Sequence, residues 1–140
     1  MRHLKSILIA FPLFMFAFFA CTSGDDNSSG NITPAAGQWK ITYFFDKQDE
    51  TSNYSNYTFE FDSNGSMSAT NGSQTWSGTW QTGFDDSADK FLIDFIGTVP
   101  SALSDLEEDW RIITVNDNLM HFEHTSGGNG DTDVVKFTKI

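Results

Sequence analysis

The chain has 140 residues, with 19 acidic and 8 basic side chains and a formal net charge of −11 at pH 7. An acidic chain of this kind is repelled by nucleic acid and by anionic lipid headgroups, so neither is an expected partner of its folded part. The charge predicts solubility and does not indicate catalysis.

The amino terminus has the pattern of a secretion signal. Arg2 and Lys5 precede an uncharged apolar run over residues 7–20, which Pro12 interrupts. A membrane-spanning helix needs roughly 20 apolar residues, so this shorter run favours a cleaved signal over a permanent span. We predict that residues 1–20 are a lipoprotein signal peptide.

The single cysteine follows directly. Phe18-Phe19-Ala20-Cys21 resembles the lipobox of bacterial lipoproteins, and the resemblance implies that Cys21 becomes the first mature residue and carries a lipid. The alternative is an unpaired thiol after an ordinary signal peptide, which is rare in secreted proteins. Two of the eight basic residues lie in the signal, so six remain against 19 acidic ones and the mature charge becomes −13. The lipid on Cys21 would make the membrane a partner.

Residues 21–36 are rich in Ser, Gly, Asn and Asp and cannot bury a core, so they predict a flexible acidic tether. Asp25-Asp26 resembles the short acidic signal that sends some Gram-negative lipoproteins to the outer leaflet of the outer membrane. A solvated charge pair in a linker is the alternative. The expected location is therefore the outer membrane, on the periplasmic side or surface-exposed.

Residues 37–140 alternate between apolar and polar positions with period two, which is typical of half-buried strands. Asn64-Gly65 predicts a type I′ hairpin turn, and an acidic loop is expected over residues 83–89. Ser101 or Ser104 could cap a short helix within residues 100–107. The pattern predicts an all-β fold, an eight-stranded antiparallel up-and-down barrel with one short helix between strands five and six.

The same alternation predicts which side chains point into the barrel. The inward set is Trp39, Ile41, Tyr43, Tyr57, Phe59, Phe61, Trp76, Trp80, Phe91, Ile93, Phe95, Trp110, Ile112 and Phe137.

Several short motifs carry a family resemblance. Gly37-Gln38-Trp39 is similar to the Gly-x-Trp of lipocalins, whose tryptophan closes the barrel floor. With Ser77-Gly78-Thr79-Trp80, Asp109-Trp110 and the final Val135-Lys136-Phe137-Thr138-Lys139, the order of motifs resembles the lipocalin-like lipoproteins of Gram-negative bacteria. The last strand lacks the arginine that lipocalins place against the floor tryptophan. The resemblance implies a fold and names no ligand.

An eight-stranded barrel either encloses one small ligand or is filled by its own side chains. In the first case the cavity residues would be aromatic, with a gap left by glycine for a small apolar ligand. These candidates are Tyr43, Tyr57, Trp76, Gly78, Trp80 and Trp110. In the second case the protein would be a structural or protein-interaction module. Both alternatives stay open at the level of sequence, with a lean towards a small or absent cavity.

The sequence offers little catalytic chemistry. It has no Gly-x-Ser-x-Gly motif, and its one cysteine is assigned to lipid. His121 and Glu123 share a strand face but lack a third metal ligand, whereas His124 faces the other side. The glycine-rich residues 127–133 favour a hairpin over a calcium loop. We therefore predict no enzymatic activity, cofactor or metal.

Overall fold

The computed structural model describes residues 32–125 and 130–140. The predicted signal peptide, Cys21 and most of the tether lie outside this range. Eight barrel strands follow one another in the described chain: β1 (Gln38–Asp46), β2 (Thr58–Phe61), β3 (Ser66–Thr70), β4 (Thr75–Asp85), β5 (Ala88–Phe95), β6 (Asp109–Val115), β7 (Leu119–Thr125) and β8 (Thr132–Lys139).

Each strand pairs antiparallel with the next, and the sheet closes on itself. β1 pairs with β8 from Trp39 opposite Lys139 to Phe45 opposite Val134, and with β2 at Trp39 opposite Phe59. Closure removes the unpaired strand edges that would otherwise recruit other chains. The prediction of an all-β up-and-down barrel of eight antiparallel strands is confirmed.

One predicted inward residue on β1 faces the other way. A register shift lies between Ile41 and Tyr43 in the pairing with β8, so that Phe44, only 1% exposed, takes the buried position. Tyr43 instead stacks beside Phe45 and lies under the Lys136 ammonium group, 5.5 Å from the ring centroid. The prediction that Tyr43 points inward is wrong, because one extra residue in a strand reverses the alternation beyond it.

Two turns differ from the sequence expectation. At Asn64-Gly65 only Gly65 has a positive φ, 89°. The Asp62 backbone N–H donates a hydrogen bond to the Ser66 carbonyl oxygen, which closes a three-residue loop. The two-residue turn with positive φ at both positions is instead Asp86-Ser87, at 49° and 61°, between the paired residues 85 and 88. The expected acidic loop over residues 83–89 is thus mostly strand.

The helix α1 (Ser101–Ser104) lies between β5 and β6, as expected. Its N-cap residue is Pro100 and no side chain caps it, so the predicted serine cap is wrong. A two-residue strand (Gln48–Asp49) and a 3-10 turn (Thr51–Tyr54) fill the connection from β1 to β2. In an up-and-down meander this connection and the α1 loop share one end of the barrel.

The barrel core is apolar, and none of the described polar or charged residues is fully buried. Trp39 is completely buried, and its indole N–H donates to the Ala35 carbonyl oxygen at 3.1 Å. Among the described residues, no helix has the length and apolar character needed to cross a membrane.

Candidate functional site

The middle of the barrel is occupied by a cycle of four phenylalanine rings. Their centroids lie 6.0 Å apart for Phe61 and Phe91, 4.7 Å for Phe91 and Phe122, 6.2 Å for Phe122 and Phe137, and 5.5 Å for Phe137 and Phe61. These residues belong to β2, β5, β7 and β8, and β2 and β5 are not neighbours in the sheet. The contacts therefore cross the lumen, and side chains fill it at this level.

The end that carries α1 is also packed. Phe44 contacts Tyr54 at a centroid distance of 4.7 Å and Trp110 at 6.3 Å. Leu103 and Leu106 are completely buried, and the Trp110 indole N–H donates to the Leu106 carbonyl oxygen at 2.9 Å. The loop is thus held down on the barrel by Trp110.

Tyr54, in the connection from β1 to β2, is buried, and its hydroxyl has no hydrogen-bond partner among the described residues. Burial, followed by the negative charges of Asp105 and Glu50, raises the pKa of Tyr54 well above its ordinary value. The phenol therefore stays neutral at physiological pH.

The predicted cavity residues do not meet around one space. Tyr57 and Trp76 lie together, 5.8 Å between ring centroids, whereas Trp80 stacks on Phe91 at 5.4 Å. Trp110 belongs to the packed end described above, and Tyr43 lies on the outer side of β1. The six candidates are thus distributed over the core and the surface.

Gly78 leaves no gap between Trp76 and Trp80. A Cβ atom at this position would meet the backbone and the ring of Phe95 at 3.2 Å. The space that a flat ligand would need is occupied by the neighbouring strand.

A concave site of different chemistry lies across β5, β6 and β7. This charged cleft has a volume of about 260 Å³ and is lined by Asp86, Lys90, Asp109, Arg111, Glu123, His124 and Thr125. None of these residues belongs to the apolar core. Its lining suits a hydrophilic ligand or a cation and does not suit an apolar one.

His124 is the centre of a group of carboxylates beside the cleft. Its Nε2 lies 3.4 Å from Asp109 Oδ1 and 3.8 Å from Glu108 Oε2, and its Nδ1 lies 3.6 Å from Asp133 Oδ2. The Lys90 ammonium group lies 3.4 Å from the other oxygen of Asp109. Sequence reasoning missed this group because its members come from four strands and the loop before β6, and only the register brings them together.

His121 lies apart from that group. Its Nε2 is 3.5 Å from Glu123 Oε1 and has no hydrogen-bond partner among the described residues. Partial burial and the nearby Lys136 lower the pKa of His121, against an opposing effect of Glu123. The predicted pairing of His121 with Glu123 on one face is therefore seen.

Comparison with known proteins gives little further guidance. No protein-family model matches the sequence, and no curated protein matches it. A crystal structure of a DUF4847 family protein from Bacteroides vulgatus is similar with a TM-score of 0.49 and 15% identity, over 74% of this chain and 92% of that chain.

Proposed function

We propose that this chain is an extracytoplasmic lipoprotein, anchored to the outer membrane through lipid on Cys21, whose lipocalin-like barrel is a non-enzymatic interaction module without an internal ligand. The cycle of four phenylalanine rings across the lumen favours this function over that of a carrier for an apolar ligand. Because close-packed interiors leave few voids larger than a water molecule, a fatty acid would have to displace these rings.

The anchor follows from residues that precede the barrel. The apolar run and the lipobox-like Phe18-Phe19-Ala20-Cys21 support lipidation, and the polar residues up to 36 support a flexible tether. The described strands begin only at Gln38, and the end of the predicted tether already contacts the barrel, since Pro34 is buried and the Ala35 carbonyl oxygen accepts from the Trp39 indole N–H. A partner with a basic surface fits best, since the mature charge is −13 and complementary charge steers association.

Lipidation is tested by growing cells that express the full chain with labelled palmitate. We expect label in the wild-type protein and in a Ser23→Ala control, and none in Cys21→Ser. Label that persists in Cys21→Ser would contradict the anchor.

The filled interior is tested by native mass spectrometry of the full-length lipoprotein released from detergent micelles after incubation with fatty acids. We expect the wild-type protein to show no adduct that is lost on denaturation. The Phe122→Ala variant, which opens the phenylalanine cycle, is the positive control and should take up an apolar molecule. A stoichiometric apolar adduct on the wild-type protein would favour the carrier function instead.

A further inference from the structure

We propose that His124, Asp109 and Glu108 form a binding site for a divalent transition-metal ion of the zinc class. The three donor atoms all lie within 4.8 Å of one another. Two ligand atoms that are each about 2.1 Å from a tetrahedral ion lie about 3.4 Å apart. The distances from His124 Nε2, 3.4 Å to Asp109 and 3.8 Å to Glu108, are close to this spacing.

An ion pair alone accounts poorly for this arrangement. The carboxylates of two consecutive residues, Glu108 and Asp109, share one imidazole nitrogen, and both distances exceed the ~2.7–3.2 Å of an N–H···O hydrogen bond. A protonated His124 and Lys90 together carry two positive charges against the three carboxylates of Glu108, Asp109 and Asp133. A dication between His124, Glu108 and Asp109 would neutralise both of these ligand carboxylates and would accept the neutral imidazole as a ligand.

The groups around these ligands are arranged as in metal sites. A histidine that binds metal through one nitrogen usually has a carboxylate or carbonyl at the other, which fixes the ring orientation. Here Asp133 Oδ2 lies 3.6 Å from His124 Nδ1, a few tenths of an ångström beyond a hydrogen bond, and its side chain is only 15% exposed, so a small rotation of the imidazole would make it the orienting carboxylate. Lys90, 13% exposed, holds the second oxygen of Asp109, so that the first oxygen is directed to His124.

The mixed donor set decides the class of ion. Imidazole suits zinc, copper, iron and nickel, whereas calcium and magnesium prefer sets made only of oxygen atoms. Three protein ligands leave one tetrahedral position for water or a small anion. The adjoining cleft of about 260 Å³, with Arg111 and Thr125 in its lining, has room for either.

The test uses the full-length lipoprotein in detergent, purified without a histidine tag and stripped with a chelator. Zinc is titrated in competition with a fluorescent zinc indicator, and the melting temperature is measured with and without one equivalent of zinc. We expect one saturable site in the wild-type protein and a higher melting temperature with zinc. Calcium and magnesium should not compete at equal concentration.

Variants assign the site. Glu108→Gln, at a side chain that is 48% exposed, and His124→Gln should each weaken zinc binding at least tenfold. Asp133→Asn should weaken it roughly 10–100-fold through the orientation of His124. His121→Gln is the control, because no third donor joins His121 and Glu123 among the residues that the structure describes, and it should bind zinc as the wild type does.

Two results would overturn the proposal. One is the absence of saturable zinc binding in the wild-type protein. The other is wild-type affinity in both Glu108→Gln and His124→Gln, with circular dichroism showing that both variants are folded. Glu108→Gln keeps the test decisive if His124→Gln fails to fold because of the His124 contact with Trp110.

Discussion

Gly78 and Asp94 lie so close that position 78 has no room for a side chain. A Cβ atom on Gly78 would be 2.5 Å from the Asp94 carbonyl oxygen, a distance that real Cβ atoms do not tolerate. Because the obstacle is backbone on the paired strand β5, it cannot rotate away. The glycine in the Ser-Gly-Thr-Trp motif thus permits close approach of two strands.

We predict that Gly78→Ala lowers the free energy of unfolding by about 1–3 kcal/mol, the usual cost of overpacking. Gly83→Ala on the same strand is the matched control, because its Cβ would only touch Leu92 at 4.0 Å. That variant should stay within about 0.5 kcal/mol of the wild type or be slightly more stable, since alanine restricts the unfolded chain. Urea unfolding curves measure both. Equal midpoints for the two variants would contradict the strand contact.

The phenylalanine cycle should dominate stability. Phe122 is completely buried between Phe91 and Phe137, so Phe122→Ala should cost about 3–5 kcal/mol of unfolding free energy. Phe84 is 58% exposed, and Phe84→Ala should change stability by less than about 0.5 kcal/mol. Similar losses in both variants, measured by chemical denaturation, would argue against a lumen filled by these rings.

The strands could be predicted from the sequence because alternation along a strand is a local property. Trp76, Gly78 and Trp80 alternate with polar residues, and they do form one face of β4. The shift after Ile41 could not be predicted, because Tyr43, Phe44 and Phe45 are all apolar and their order does not reveal which of them points inward. A register shift depends on the partner strand, which a local pattern does not contain.

The turns and the His124 group could not be predicted either, because they too depend on more than the local sequence pattern. Asp86 and Ser87 are not the asparagine and glycine that favour positive φ, so the tight turn there left no signal in the sequence. Asp109 and His124 are distant along the chain and adjacent only through the pairing of β6 with β7. A site whose residues are brought together by strand register can be recognised only once the fold is known.

Asp105 should weaken the protein at neutral pH. Desolvation, with the charges of Glu50 and Asp46, raises the pKa of Asp105 above its ordinary value. An acid whose pKa is higher in the folded state binds its proton more readily there than in the unfolded state. At pH 7 the ionised carboxylate therefore lowers the free energy of unfolding. This loss disappears once the pH falls below the ordinary carboxyl pKa, where the group is protonated in both states. We predict that Asp105→Asn melts higher than the wild type at pH 7 and that the difference vanishes near pH 3.

Asp117→Asn is the control for this prediction, because Asp117 lies exposed in the turn between β6 and β7. It should not change the melting temperature at either pH. A gain at pH 7 that persists unchanged at pH 3 would show that Asp105→Asn acts through packing and not through charge.

His121 should make stability depend on pH in the opposite direction. Desolvation and Lys136 lower the pKa of His121, so the unfolded chain takes up a proton at a higher pH than the folded barrel does. The unfolded state is therefore favoured as the pH falls through the ordinary histidine value of about 6.5. We predict that the unfolding free energy decreases between about pH 7 and pH 5 and that His121→Gln reduces this decrease. Lys136→Gln, which removes the nearby positive charge, should reduce it in part while keeping the histidine. Unfolding measured at closely spaced pH values separates these effects, and a wild-type slope in His121→Gln would assign the pH dependence to other groups.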